Sequence, residues 1–531
     1  MPVNPTPEKV YVVNNKLVAV DDSGGVRELA TTAEGHLEVA VHAPRLPFGS
    51  VHTENLTPIF QSDAVYGINA QQVLATSGTG GSATASDSAF TCSTGTSVGG
   101  YGTLQSRKRL RYRPGQGVVA RFAGYYTSPV ANSYQLIGVG HAEDGFYFGY
   151  QGTSFGILHV SRGVREVRTL TVTTASTATN NYNVQLNGVT TNVTATNNGS
   201  TLRTAYEIAQ GTYVGWSAEA IGSTVVFVAN DAAAKAGAFS LGQSGAGVPA
   251  AGTFATTKAG VASTDVFIAQ STWNGDKMDG TGPSGYTLDK TKGNVFQIGI
   301  QYLGFGCVTF SIEVPGDGNN PDFVAVHTIR VPNSRTTTTV GNPSFPFTMT
   351  AYSTGSTTNL TVRVGSFAGF VEGKKILHGP RFTYVNQLTT VGAVNLQALF
   401  TVQNTRYYGG RSNQSVVNLL SVTGALKHTS PCIFYLIRNG TLAGNPNFTA
   451  YTTSSCTYVD TAATTVTYSD NAQLVWTGHL GDTGDIDHHF GNGETGGEIT
   501  LQPGETLTLA ARASTGTPSY VTGSINTRED Q

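Results

Sequence analysis

The feature that most restricts what this chain can fold into is residues 138–163, GVGHAEDGFYFGYQGTSFGILHVSRG. Phe146, Phe148 and Tyr150 alternate along one segment, and Phe155, Ile157 and His159 along the next, with Gln151-Gly152-Thr153 between them. A strand points successive side chains to opposite faces, so alternation around a Gly-containing turn predicts a β-hairpin with one buried aromatic face. Residues 308–314, VTFSIEV, alternate in the same way and stop at Pro315-Gly316-Asp317-Gly318. The two stretches have matching character and lie far apart. They read as strands of one sandwich with something inserted between them.

The rest of the chain fits that frame. At 531 residues the length allows about three domains. Charged residues make up 12% and glycines number 65, whereas average usage is about 25% charged. Such a composition suits short strands and tight turns under a surface of hydroxyls and amides. The formal net charge of −2 gives no global attraction to nucleic acid. No apolar run approaches the roughly 18 residues of a membrane span, and MPVNPTPEKV lacks a signal-peptide core. Synthesis and assembly in a cytoplasm are therefore expected. Cys92, Cys307, Cys432 and Cys456 form no CxxC, which argues against a structural zinc site and for reduced, buried thiols. Cys432 and Cys456 could also approach each other across neighbouring strands.

Residues 1–50 read as a strand-rich attachment or oligomerisation segment. VYVV and KLVAV flank Asn14-Asn15, a further strand runs over 35–41, and the whole is too small for its own core. Residues 51–384 read as a jelly-roll sandwich, with 77–97 mostly loop and one short strand. A small α+β insert over 167–232 interrupts it, with Ser200 capping a helix over 201–210 whose face is Leu202, Ala205, Tyr206 and Ala209. Residues 385–531 read as a second β-sandwich with a solvated acidic tail, Arg528-Glu529-Asp530-Gln531. The fold class is thus all-β.

Two groups of segments carry a resemblance. The insert is similar to a small module that recurs in structural proteins of tailed bacteriophages: a strand ending in Asn187-Gly188, a short helix, then two strands joined at Gly222-Ser223. Residues 107–117 (RKRLRYRPGQG), 138–160, 274–287 (NGDKMDGTGPSGYT) and 304–326 resemble tailed-phage virion proteins of tail fibre or baseplate type with a lectin-like, laminin-G-type jelly roll. The resemblance implies a virion setting. Its partners would be other virion proteins and copies of the chain itself, as a trimer, with host surface glycan as a further possible partner. A capsid decoration or minor capsid protein and a polysaccharide depolymerase are the alternatives.

Several residue groups are candidates for chemistry. Arg107, Arg109, Arg111 and Arg113 share one face if their segment is a strand. Four guanidiniums in a row need acidic groups or anions opposite. An anionic ligand such as a phosphorylated surface glycan is one reading, and an exposed strand or a subunit contact satisfied by carboxylates is the other. Trp273 with Asn274 and Asp276 could stack a sugar and bind its hydroxyls, or the Trp could simply be packed. Asp482, Asp485, Asp487 and His488, with His489 beside them, could hold a structural divalent cation, or form a solvated loop or a subunit contact. Asp317, Asn319, Asn320 and Asp322 form a second possible oxygen cage, with a polar turn as the alternative. No GxSxG, P-loop or HExxH is present, and Glu143-Asp144 are adjacent rather than placed across a cleft as glycosidase acids must be. A non-enzymatic protein without a cofactor is expected.

Overall fold

The computed structural model describes strands at residues 10–13, 16–20 and 26–28, and residues 56–530 except 197, 316–320, 375–378, 427–429, 469–471, 482–483, 491–498 and 516–518. The chain divides into two compact units, Met1–Thr53 and Glu54–Gln531.

In the first unit, Val10–Val13, Lys16–Val20 and Val26–Glu28 form one antiparallel three-stranded sheet. Val13 lies opposite Lys16, the register expected of a tight hairpin. The strand expected over 35–41 lies outside the described residues.

The second unit is built almost entirely of antiparallel strands. Among the described residues its helical elements are Thr201–Ala209 and the single turn Gln270–Thr272. Among the described residues no helix is long and apolar enough to cross a membrane. Two sheets make the jelly-roll-like sandwich. One has seven strands, in the order Thr264–Ala269, Ser154–Ser161, Gly145–Gln151, Ser133–Gly140, Ser344–Ser353, Tyr101–Arg111 and Val73–Gly78. The other has Val118–Tyr126 and Thr361–Glu372 at its centre and Val308–Pro315 towards one edge.

The two alternating stretches face each other across this sandwich. Phe146 and Phe148 meet the Phe310 ring at centroid distances of 6.3 and 5.4 Å, both edge-on. Edge-to-face pairing suits the aromatic quadrupole and fills the space between the sheets. The opposite face of the same hairpin is also buried, in a smaller cluster of Leu136, Tyr147, Leu158 and Val160. Residues 77–97 hold more strand than expected: Ser82–Ser86 and Ala89–Ser93 pair there, because Ala83, Ala85, Phe90 and Cys92 alternate towards the core.

The insert departs from its expected boundary. Val167–Thr174 pairs with Thr224–Ala229 on one side and with Ala251–Lys258 on the other, and Tyr182–Leu186 pairs with Ser240–Gln243. The module therefore runs to 258, not 232. Its ends are closed by the surrounding sandwich, where Ser161 lies opposite Thr264. The insert is the loop of one long hairpin. Its helix starts at the Ser200 cap, whose side chain accepts the Arg203 N–H at 3.3 Å. Ala205 and Ile208 enter the insert's own core of Leu170, Tyr182, Trp216 and Phe227. Tyr206 points elsewhere, into a cluster shared with Tyr435, Ile437, Leu442 and Phe448 of the C-terminal sandwich.

The C-terminal sandwich packs Arg381–Val391, Ser519–Asp530 and Val416–Leu426 against a sheet centred on Gln397–Asn404, Thr506–Ala513 and Cys432–Arg438. The four cysteines are free thiols, three of them buried. In the tail expected to be solvated, Arg528 and Asp530 are half-buried and Glu529 is buried, while Gln531 lies outside the described residues. Glu529 is fully buried, accepts the Cys456 N–H at 2.9 Å and is also bonded by the Ser455 hydroxyl.

Candidate binding site

The arginine face is a seam within the chain. Tyr101–Arg111 turns Leu104 and Leu110 into the core, so alternation turns Arg107, Arg109 and Arg111 outward. That outward side meets the C-terminal sandwich. Arg107 Nη1 lies 3.5 Å from Glu505 Oε1, Arg111 Nε 3.4 Å from Asp530 Oδ1, and Arg113 Nη2 2.7 Å from Asp530 Oδ2. Arg109 donates to Gln414 Oε1. The expectation of an exposed stripe open to an anionic ligand is corrected here, because the counter-charges come from the same chain. Burial lowers the Arg109 pKa to about 10, helped by Arg165 and opposed by Glu143, so its guanidinium stays charged at neutral pH.

The other candidates are also committed to structure. Trp273 is buried in the sandwich core, edge-on to Phe148 and Phe155, with no free face for a sugar. Asn274 bonds the backbone of Thr328 in both directions, at 2.8 and 2.9 Å. Asp276 accepts the N–H groups of Met278 and Ser284, each at 2.8 Å, and so shapes its own turn. The expected sugar-stacking trio is therefore a packed turn. Asp144 accepts three backbone N–H groups, from Arg162, Gly341 and Asn342. Glu143 accepts from Ser412 and from the Arg165 N–H.

Asp482 lies outside the described residues. Asp485 and Asp487 are exposed on Gly484–His489, with alternation putting them opposite His488, whose ring stacks on Trp476 at 5.7 Å. His489 Nε2 lies 3.3 Å from Asp487 instead. Asp485, Asp487 and His488 thus do not converge on one point. Asp317, Asn319 and Asn320 lie outside the described residues, and Asp322 is exposed on Pro321–Ile329. Among the described residues no three His, Cys, Asp or Glu side chains group as metal ligands.

What the structure does assemble is a polar cavity of about 310 Å³ where the sandwich, the insert and the C-terminal sandwich meet. Arg107, Tyr206, Glu219, Gln403, Arg406 and Glu505 line it. Glu219, 3% exposed, accepts the Arg406 backbone N–H at 2.9 and 2.8 Å on its two oxygens and Gln403 Nε2 at 3.4 Å. Burial pushes its pKa up to about 7, against the lowering effect of the Arg406 charge and of backbone N–H bonds. Glu505 accepts Arg438 at 2.5 Å and the Gln502 N–H at 2.7 Å. Gly504 sits flush on the Arg406 guanidinium at φ +88°, where a Cβ would overlap it. Only glycine meets both requirements readily. Two side-chain atoms of the lining residues, Arg406 Nε and Gln403 Oε1, are sealed away from solvent without a hydrogen-bond partner. Sequence reading missed this site. Nothing local in the sequence links Gly504 and Glu505 to Glu219 in the insert.

Comparisons with known proteins leave the question of activity open. No protein-family model matches the chain, and no curated protein sequence does. Solved structures with some likeness include peanut lectin with a 9mer peptide, at 8% identity and TM-score 0.22, covering 59% of this chain and 97% of the lectin. They also include the binding domain of botulinum neurotoxin DC in complex with SialylT, at 8% identity and TM-score 0.21, covering 97% and 98%. T=1 particles derived from infectious bursal virus follow at 11% identity and TM-score 0.12, covering 79% and 80%. At these scores none of them carries an argument about this chain.

Proposed function

We propose that this chain is a non-enzymatic structural and adhesive component of a tailed-phage virion, a tail fibre, spike or baseplate subunit that binds carbohydrate. The observation that supports it most is the seam. Arg107, Arg109, Arg111 and Arg113 join the jelly-roll-like sandwich to Glu505, Gln414 and Asp530 of the C-terminal sandwich. The insert braces the same junction: Tyr206 accepts the Leu442 N–H and Arg203 donates to the Leu442 carbonyl, both at 2.9 Å. Charges paired across an internal joint hold its two sides together, which suits a body that transmits load and presents a surface. The virion setting comes from the resemblance of residues 107–117, 138–160, 274–287 and 304–326 to phage proteins of that kind. The acids on which a depolymerase would rely, Glu143 and Asp144, are held by structural hydrogen bonds.

The test is position in the particle. Antibody raised against the chain should label the tail of intact phage and block adsorption. Label confined to the head would make it a capsid decoration instead, and release of reducing ends from host capsule by the purified chain would make it a depolymerase.

A further inference from the structure

We infer that the open groove lined by Tyr66, Asp63 and Arg121, on the outer face of the sheet centred on Val118–Tyr126 and Thr361–Glu372, is a binding site for a short neutral oligosaccharide. This rests on the carbohydrate-binding half of the proposed function and gives it a place in the fold. The groove holds about 940 Å³, within the usual range of about 300–1,000 Å³ for a small-molecule site. Its shape follows from register. Phe122 and Phe367 point into the core, so alternation turns Arg121, Ala123, Ser366 and Ala368 outward. Asp63, Ser366 and Ala123 lie side by side across three strands, and Gln61, Ala368 and Arg121 form the neighbouring row. The short side chains of Ala123, Ser366 and Ala368 make a low floor, and the longer ones of Gln61, Asp63 and Arg121 stand beside it.

Tyr66 is fully exposed at this groove, yet the turn that carries it is fixed. Ala64 is buried and Ile68 packs against the core. Asp63 Oδ1 accepts the Val65 N–H and the Ala64 carbonyl the Gly67 N–H, both at 3.0 Å. The fold thus holds an aromatic face out in solvent, where the C–H face of a sugar ring can bury against it. The polar groups beside it are exposed and have bonding capacity to spare. Arg121 donates from Nε to Gln297 Oε1 at 2.7 Å and lies over the Phe323 ring at 4.9 Å, which positions the guanidinium and leaves both terminal nitrogens without a partner among the described residues. Asp63 Oδ2 and the Gln61 amide have none there either. A sugar hydroxyl can donate to the carboxylate and another can accept from the guanidinium. Charge sets the class. The ionisable lining is Asp63, Tyr66 and Arg121, so an anionic chain loses at Asp63 what it gains at Arg121, and a neutral sugar meets no penalty at either. An extended peptide fits less well. Both central strands are already paired on each side and offer no open edge, and the floor of Ala and Ser has no pocket for a large side chain.

The experiment uses the full chain with trisaccharides of glucose, galactose, mannose and N-acetylglucosamine as probes, and trigalacturonate as the charged comparison. Saturation-transfer NMR and calorimetry should show at least one neutral trisaccharide binding, and binding more tightly than trigalacturonate. Tyr66→Ala should weaken that binding by about tenfold, the loss of one stacked ring, with the unfolding midpoint unchanged because the side chain is wholly exposed. Tyr66→Phe should bind as wild type does, since the ring and not the hydroxyl makes the contact. Ser366→Trp, which fills the floor from an exposed position, should abolish binding. Tyr468→Ala, at a tyrosine 46% exposed elsewhere on the chain, should leave it unchanged. The proposal is overturned if no neutral trisaccharide binds more tightly than about 10 mM, if trigalacturonate binds more tightly than all of them, or if the folded Tyr66→Ala chain binds as wild type does. Binding that survives Tyr66→Ala would remove this groove and keep the carbohydrate-binding reading. Absence of all binding, together with tail labelling, would remove both and leave the virion reading standing.

Discussion

Asp530 is the residue on which the seam turns. It faces Arg111 and Arg113 together, and burial already lowers the Arg111 pKa, with Asp530 opposing that and Arg113 adding to it. Asp530→Asn leaves two part-buried guanidiniums facing an amide. The expected loss is about 2 kcal/mol, within the range for removing a charged hydrogen-bond partner, read as a lower urea midpoint with an unchanged slope. Glu219 works in the opposite sense. Its pKa rises from the ordinary 4.5 to about 7 on folding, so between those values the folded state holds more protons than the unfolded one. Its contribution is fully present below the unfolded value and is lost as pH rises through about 7. The loss amounts to about 3 kcal/mol at 1.36 kcal/mol per unit. Arg406, Arg107 and Glu505 face it across the cavity. Asp144 is raised to about 6, also chiefly by burial, and contributes in an overlapping window. The difference between wild type and Glu219→Gln therefore isolates Glu219: the variant should gain on wild type from pH 5 to pH 8. Parallel profiles would mean that Glu219 keeps its ordinary pKa.

Among the elements, the insert shows what a close join does to an apparently separate module. It has its own core, but it also covers Tyr435, Ile437 and Phe448. Removing residues 162–263 and closing Ser161 to Thr264 with a short Gly-containing turn should preserve the sandwich, since those residues already pair. The C-terminal sandwich should then expose apolar surface, bind a hydrophobic dye and unfold at a lower temperature. An unchanged melt would mean that the shared cluster contributes nothing. A cut at 232 would be worse, stranding Ala251–Lys258 without Val167–Thr174. Legibility in the sequence follows the same division. The hairpin at 145–161, the strand at 308–315 and the capped helix were readable because period and capping are local signals. The far end of the insert was not, because Ser240–Gln243 and Ala251–Lys258 owe their pairing to strands some 55 to 90 positions earlier. The arginine face was readable as a face. What lay opposite it was not, since Asp530 is more than 400 residues away in sequence, as the Arg113–Asp530 bond shows.

At the scale of the whole molecule, the two units differ in how they can be stable. Glu54–Gln531 has several contiguous apolar cores. Met1–Thr53 has, among its described residues, one sheet of three strands with 4, 5 and 3 residues. A sheet that small buries too little apolar surface to offset the entropy of ordering its chain, and small scaffolds of this kind rely on metals, disulfides or association. No cysteine lies in residues 1–53, which rules out a disulfide within the unit. Copies of the same segment can supply the missing surface, and closed cyclic symmetry satisfies every copy equally. The full-length chain is therefore expected to be an obligate homo-oligomer, a trimer of the 55.5 kDa chain, in light scattering at micromolar concentration. A chain lacking residues 1–53 should run as a monomer, with the cooperative unfolding of the larger unit intact. A full-length monomer would remove the attachment role of the segment. A trimer that survives the truncation would move the interface onto the larger unit.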